Sequence, residues 1–354
     1  MAEKILMKGN EALAEAAIRA GCRYFFGYPI TPQTQVAEYM AKKLPKIGGV
    51  YLQSESEVAA INMVMGASAT GARAMTSSSS PGISLKSEGI SYIAGCDLPA
   101  VIVNMQRGGP GLGGIQPAQS DYYQATKGLG HGDFRMIVLA PCGVQEIVDL
   151  MGKAFDLADE YRMPVMILGD GMLGQMMEPI TLPEPKEEDR SGKPWAACGT
   201  GGKRKRNVIN SLYIQPDELE RLVVERYKRY DVVAEKETMS ESYLTDDAEI
   251  VIAAYGASAR IAKNAIAAAR AEGIKVGLVR PITLWPFPDK AFQKAAETAK
   301  AFLTVEMSMG QMIDDVKLAI NCAKPVHFFG RTGGVVPTPA EILAQLRKIH
   351  GGEQ

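Results

Sequence analysis

Along residues 10–168 the apolar positions switch repeatedly between two periods. In GNEALAEAAIRAG, Leu13, Ala16 and Ala17 fall at helical spacing between Asn10, which can cap, and Gly21, which suits a helix end, so a helix is predicted over 11–20. The run 24–27 reads as a strand, 32–43 as an amphipathic helix, 50–52 as an apolar strand and the stretch after Ser54 as a helix. The pattern repeats with a strand at 73–76, a helix opened by Pro81, a buried-looking strand at 99–105, a strand at 137–139, a helix at 144–161 and a strand at 165–168. Strands alternating with helices predict an α/β fold with a doubly wound parallel sheet covered on both faces.

From Glu178 the texture changes. EPITLPEPKEEDRSGKPW is rich in proline and charge, and 199–206, GTGGKRKR, reads as loop, so 179–246 is expected to be a connecting arm between a domain at 1–178 and one at 247–354. Alternation resumes with IVIAAYG, a helix at 257–271, IKVGLV, RPITLWPFP, AFLTVE, a helix after Gly310, PVHFFG and a last helix from Pro339. This is a second, smaller α/β domain. No repeat of 20–50 residues is visible.

A chain of 354 residues with 46% hydrophobic content can bury a sizeable core and suggests two domains. Its formal charge of -1 gives no electrostatic footprint for nucleic acid. KRKR at 203–206 is read as solvated loop surface. The opening MAEKILMKGNEALAEAA carries charges where a secretory signal needs an apolar core, and no run approaches the roughly 20 apolar residues that span a bilayer. A soluble, cytoplasmic protein is expected. Cys22, Cys96, Cys142, Cys198 and Cys322 are far apart with no CxxC, so neither a disulfide framework nor a cysteine-ligated metal site is written here.

Three side chains stand out. Thr31 before Pro32, in CRYFFGYPITPQTQVAEYM, has the signature of an N-cap followed by proline at the first helical position. It would also place a hydroxyl at the carboxyl end of a parallel strand, where open α/β sheets bind ligands. Glu57 opens an apolar helix, EVAAINMVMGAS, expected to pack on most sides; it is either an ordinary first-turn acid or a buried carboxylate in need of a partner. Arg107 ends an apolar strand and begins RGGPGLGG. It is either a surface residue or a planar cation suited to a carboxylate beside a loop that lets backbone approach a ligand.

GNEALAEAAIRAG, GYPITP, SESEVAAINMVMGAS, TSSSSPGISLKSEGI, RGGPGLGG and RPITLWPFP, in this order, resemble the alpha subunit of the 2-oxoacid:ferredoxin oxidoreductases. The resemblance implies a thiamine-diphosphate pyrimidine-binding-type domain followed by a smaller transketolase C-terminal-like α/β domain. By it, Pro29, Ile30 and Glu57 would contact the cofactor, with Glu57 hydrogen-bonded to N1′ of the aminopyrimidine. Thr31, Arg107 and Gln116 would face the substrate, Arg107 holding its carboxylate. Where 2-oxoglutarate-type members read like GPSTGLPT, this chain has GPGLGGIQP, with Gly111, Leu112 and Gln116 in place of hydroxyl side chains. The loop resembles the subclass acting on branched 2-oxoacids such as 3-methyl-2-oxobutanoate. Gly169-Asp170-Gly171 matches the opening of the family's diphosphate and magnesium motif, but 195–201 lacks the asparagines that close it, and it reads as a turn.

The implied reaction takes a 2-oxoacid, CoA and oxidised ferredoxin to acyl-CoA, carbon dioxide and reduced ferredoxin. The resemblance also implies a beta subunit completing the cofactor site, gamma and ferredoxin-like delta subunits, Mg2+ and iron–sulfur clusters on those partner chains, and a dimer of hetero-oligomers. Alternatives are the same chemistry on 2-oxoglutarate or pyruvate, and a non-catalytic α/β ligand-binding or regulatory protein.

Overall fold

A computed structural model describes residues 4–352, so the outermost residues of both expected domains, 1–3 and 353–354, lie outside the described residues. The chain begins with β1 (Ile5–Lys8), α1 (Gly9–Arg19), β2 (Tyr24–Gly27), α2 (Thr34–Lys43), β3 (Val50–Gln53), α3 (Glu57–Ala69) and β4 (Ala74–Ser78). It continues through α4 (Ser80–Gly95), β5 (Ala100–Gln106), β6 (Ile137–Leu139), α5 (Val144–Tyr161), β7 (Pro164–Asp170), α6 (Gly171–Gln175) and β8 (Met177–Ile180). Next come α7 (Pro216–Lys236), β9 (Ser240–Tyr243), β10 (Ile250–Ala253), α8 (Gly256–Ala271), β11 (Val276–Pro281) and β12 (Thr283–Trp285). The last elements are α9 (Asp289–Ala296), β13 (Ala301–Glu306), α10 (Met312–Ala319), β14 (Val326–Gly330) and α11 (Pro339–Gly351).

Seven strands form one sheet in the order β12-β6-β7-β5-β4-β2-β3, parallel except for β12, which runs antiparallel to β6. Side-chain alternation on β5 shows why both faces are covered. Val101, Val103 and Met105 join the core under α1, α2 and α5, whereas Ala100 and Ile102 join that under α3 and α4. The second sheet, β14-β13-β10-β11-β9, is parallel except for β9. Ile250 and Ile252 of β10 pack with α8 and α11, while Val251 and Ala253 enter the same apolar core as Ile83 and Ile90 of α4. One core therefore runs through both sheets.

Several local expectations are overturned. Asn10 does not cap α1, which starts at Gly9; its side chain is buried inside the helix and donates to the Pro32 carbonyl (2.8 Å) and Gln35 Oε1 (2.9 Å). Thr31 is not the N-cap of α2 either. Residues 31–33 form a turn that closes from Gln33 N to Ile30 O (3.2 Å), and the helix starts only at Thr34, because Gln33 turns its side chain inward. Helix α3 does pack on most sides, as expected: Glu57, Ala60, Ile61, Val64 and Ser68 are buried, Met63, Met65, Ala67 and Ala69 are half-buried against the core, and only the stripe Val58, Asn62 and Gly66 lies open, because the helix is set on β2, β4 and α4. The arm contains α7, 21 residues long, which docks by Arg226 on Asp97 (3.0 Å) and on the Gly95 carbonyl. No described helix is long and apolar enough to cross a membrane.

Asp170, rather than sitting in a simple turn, ends β7 with 1% exposure and caps α6 by accepting from Met172 N (2.9 Å) and Leu173 N (3.1 Å). Burial pushes its carboxyl up to about 6, against the opposing N–H groups of Leu173, Met172 and Ala257. The unfolded acid releases its proton near 3.8, so across the pH 4–6 window the folded state binds more protons and this group's contribution falls as pH rises. Asp170→Asn keeps a capping oxygen and removes the titration. Wild-type stability relative to the variant is expected to fall by up to about 3 kcal/mol between pH 4 and 7 in urea unfolding; a pH-independent difference would contradict the assignment.

Candidate active site

Because β2 to β7 are parallel, the loops after β2, β3, β4, β5 and β7 meet at one edge of the sheet, the place where such folds bind ligands. After β2, Gln33 fixes the loop. Fully buried, it hydrogen-bonds Ser77 of β4 and donates to the Tyr28 carbonyl (3.3 Å), which leaves Pro29 and Thr31 exposed and Ile30 half-buried on the rim. The Thr31-Pro32 bond is cis.

Glu57, after β3, is the first residue of α3, and Ser56 caps the helix by accepting from Ala59 N (3.2 Å). Its carboxylate is pressed against α4. A Cβ placed on Gly82 would lie 2.8 Å from Glu57 Oε1 and 2.1 Å from Ser78 Oγ, so only glycine lets the two groups approach this closely. Among the described residues no group donates a hydrogen bond to the Glu57 carboxylate, although the side chain is only 7% exposed. The hydroxyls of Ser78, the last residue of β4, and Ser79, which precedes α4, are likewise buried and unpaired.

Arg107, directly after β5, is not a surface residue: 7% exposed, it donates from Nη1 to the Thr31 carbonyl (3.0 Å) and from Nη2 to the Leu112 carbonyl (3.1 Å). Its Nε is buried without a partner. The guanidinium thus staples the 28–31 loop to the glycine-rich loop and keeps donors in reserve. Ser80 accepts from Arg107 N (3.0 Å) and donates to Asp121 (2.6 Å), to which Asn104 also donates (2.9 Å). Burial raises the Asp121 carboxyl, and these two donors oppose the shift. Beyond Arg107 opens a cleft of about 750 Å³, walled on one side by Ser80, Arg107 and Asp121 and on the other by Met309, Gln311 and Thr332 of the second domain. Glu306 holds that far wall, its buried carboxylate accepting from Gln311 N (3.0 Å), Met312 N (3.0 Å) and Ile313 N (3.1 Å). Leu112 and Ile115, 84% and 58% exposed, project from the loop. Gln116 accepts at its carbonyl from Gly108 N (2.9 Å) and packs beneath Gly334 of the second domain.

The structure therefore joins Arg107 to Thr31, sets Gln116 under the second domain, and puts Glu57 beside Ser78 and Gly82 with no contact to Arg107. Sequence reasoning missed Ser78, Ser80, Asn104 and Asp121. The run TSSSSPG ahead of a helix was the available signal for the serines; no local pattern marks Asn104 or Asp121.

A family model described as pyruvate flavodoxin/ferredoxin oxidoreductase, thiamine diphosphate-binding, matches residues 15–240, and one described as pyruvate:ferredoxin oxidoreductase core domain II matches residues 248–342. The chain belongs to the 2-oxoacid:ferredoxin oxidoreductase family. It is 50% identical to the ketoisovalerate oxidoreductase subunit VorB of Methanothermobacter marburgensis, over 98% of each chain. To the 2-oxoglutarate synthase subunit KorA of Methanothermobacter thermautotrophicus it is 38% identical, over 99% of this chain and all of that one. A solved 2-oxoglutarate:ferredoxin oxidoreductase from Magnetococcus marinus, with 2-oxoglutarate, coenzyme A and succinyl-CoA bound, superposes with a TM-score of 0.88 at 28% identity. That match covers 98% of this chain, which spans 65% of the other's length. A split gene transketolase shares the fold, with a TM-score of 0.60 at 15% identity. The doubly wound fold of this oxidoreductase family is thus the one the alternation of strands and helices predicts.

The edge around Glu57 fits a thiamine-type ring. A buried carboxylate without a protein donor and two unpaired hydroxyls await polar partners, and Gly82 supplies room. Both atoms that a Cβ at Gly82 would strike are ends of short or flexible side chains, so Gly82→Ala is expected to move Ser78 and Glu57 rather than the backbone. Turnover of the assembled oxidoreductase should fall roughly 10²-fold, as for a misplaced reacting group, while the melting temperature changes by less than about 4 °C. Unchanged turnover would show that Glu57 and Ser78 need no such placement.

Proposed function

We propose that this chain is the alpha subunit of a thiamine-diphosphate-dependent oxidoreductase that converts a branched 2-oxoacid, 3-methyl-2-oxobutanoate, with CoA to acyl-CoA, carbon dioxide and reduced ferredoxin. One observation carries the substrate assignment: the loop that Arg107 anchors offers the exposed aliphatic side chains of Leu112 and Ile115, with Gly111 between Arg107 and Leu112. An aliphatic loop beside the cleft suits an aliphatic oxoacid. The identity to a ketoisovalerate oxidoreductase subunit supports the same reading.

In this reading Glu57 holds the proton at the aminopyrimidine ring nitrogen, with Pro29 and Ile30 shaping the rim beside it. Thiamine diphosphate, when bound, supplies the electron sink that decarboxylation of a 2-oxoacid requires. Arg107 orients the substrate carboxylate with the N–H groups not spent on Thr31 and Leu112. Thr31 presents its hydroxyl at the rim, and Gln116 lines the far side under Gly334. A beta subunit completes the diphosphate and Mg2+ half of the site. Gamma and ferredoxin-like delta subunits carry iron–sulfur clusters and pass electrons to ferredoxin, in a dimer of hetero-oligomers in the cytoplasm. The chain divides into a pyrimidine-binding domain at 1–178, an arm at 179–246 and a transketolase C-terminal-like domain at 247–354.

Two experiments test this. Turnover of the co-purified complex with a viologen acceptor should give the highest kcat/KM on 3-methyl-2-oxobutanoate among that acid, 2-oxoglutarate, pyruvate and an aromatic oxoacid. A preference for 2-oxoglutarate would sink the substrate assignment. Arg107→Lys keeps the charge and loses the fork, so kcat/KM should fall by about 10- to 150-fold, the equivalent of one charge-assisted hydrogen bond. Because the carboxylate is common to all 2-oxoacids, the loss should be similar for each. A loss confined to one of them contradicts the role.

A further inference from the structure

The site reading leaves one buried cation unused. Lys86 of α4 is wholly buried, and its Nζ makes a single hydrogen bond, to Thr76 Oγ1 of β4 (3.1 Å). A buried ammonium is costly unless a counter-charge faces it. Packing of α3 on α4 shows where that charge lies. Gly82 abuts Glu57 and Gly89 abuts Ile61, so the α3-facing stripe of α4 runs through 82 and 89. Lys86, four residues after Gly82 and three before Gly89, lies on that stripe.

Other charges nearby are committed elsewhere. At the head of α4, Arg107 is held by the Thr31 and Leu112 carbonyls, and Asp121 by Ser80 and Asn104. Glu88, on α4 itself, bonds Tyr92 at the exposed surface. Strand β4 brings only uncharged residues, Ala74–Ser78. Glu57, from α3, is the charged group that acts on Lys86: burial pulls the ammonium down to about 8 and the Glu57 carboxylate opposes that pull.

We propose that Lys86 is a positioning residue for Glu57, its Thr76-anchored ammonium supplying the buried counter-charge that keeps the Glu57 carboxylate turned to the site. The proposal rests on the reading of Glu57 as the group that meets the aminopyrimidine ring. It explains why a lysine stands in the middle of an otherwise small and apolar helix face.

The test uses the full chain without cofactor and compares wild type, Lys86→Met, Glu57→Gln and the double variant in thermal melts at pH 5 and 7. Lys86→Met leaves a buried acid whose neutral form suits the folded state, so that variant should lose stability as pH rises through the carboxylate range. Its melting-temperature loss should be larger at pH 7 than at pH 5 by roughly 3 °C or more. In the Glu57→Gln background this pH dependence should vanish and part of the loss be recovered. A loss equal at both pH values, and undiminished by Glu57→Gln, would make Lys86 a packing residue and overturn the proposal. Should Lys86→Met fail to fold, the double variant is still expected to fold; failure of both overturns the proposal as well.

Proton exchange at thiazolium C2 in the assembled complex separates this inference from the reading beneath it. Slow exchange in Glu57→Gln with no Lys86 coupling removes the Lys86 role alone. Normal exchange in Glu57→Gln with coupling present leaves a structural ion pair and removes the positioning role together with the Glu57 assignment.

Discussion

The seam between the two sheets depends on one fully buried amide. Gln119 follows β5, and every polar group it owns is used across the boundary. Its backbone N–H donates to Met307 O (2.8 Å), its carbonyl accepts from Tyr255 Oη (3.1 Å), and its Nε2 donates to Tyr255 O (2.9 Å). Its Oε1 accepts from Ser258 Oγ (2.6 Å) and Met307 N (3.0 Å). An amide in an apolar core is stabilising when its polar atoms are paired, and here each of the four has a partner. On either side of it, Gln116 packs beneath Gly334, and Gln311 binds Ser120 O (2.8 Å) and Tyr123 N (2.8 Å). The segment that forms the floor of the cleft is thus clamped by the domain that forms its far wall, and the cleft width is set by hydrogen bonds rather than by a flexible linker.

The rest of the site shows the same division between fixed and free groups. Arg107 spends two donors on carbonyls of its own chain, and Asp121 is held by Ser80 and Asn104, so the frame is ordered before anything binds. Among the described residues the hydroxyls of Ser78 and Ser79 and Arg107 Nε are left without protein partners, and the Glu57 carboxylate without a hydrogen-bond donor. Orphaned polar groups gathered at one sheet edge are costly in a structural role and useful in a binding one.

Much of this was legible in the sequence, and the omissions have physical causes. Strands such as IVIAAYG and AFLTVE are buried on both faces and announce themselves as apolar runs, and the helix 144–161 was placed to the residue. Thr31 and Asn10 misled, because capping preference is a local rule and a tertiary contact overrode it: Asn10 is drawn into the core by the Pro32 carbonyl, and Gln33 by Tyr28 and Ser77. Strands β1 and β8 stabilise each other alone, and β9 and β12 are short additions to sheet edges; none carries a period of its own. For α7, with Arg226, Tyr230 and Val233 as its buried residues, charge hid the helical pattern. At the site, single residues of unusual type, Glu57 and Arg107, could be picked out, but Asp121 and Gln119 gain their roles only from neighbours more than a hundred residues away or on another strand.

Strand β12 has a consequence for how the molecule is made. It belongs by sequence to the second sheet's region, yet it pairs with β6 and closes the first sheet's edge. During synthesis β7 is complete some hundred residues before Trp285 appears, an interval of roughly 5–20 s at ordinary translation rates. For that time β6 presents an unpaired apolar edge, Ile137–Leu139, to any other strand in reach. The nascent chain therefore passes through a stage in which its first layer is assembled but unsealed, and the brevity of β6, three residues, keeps that opening small.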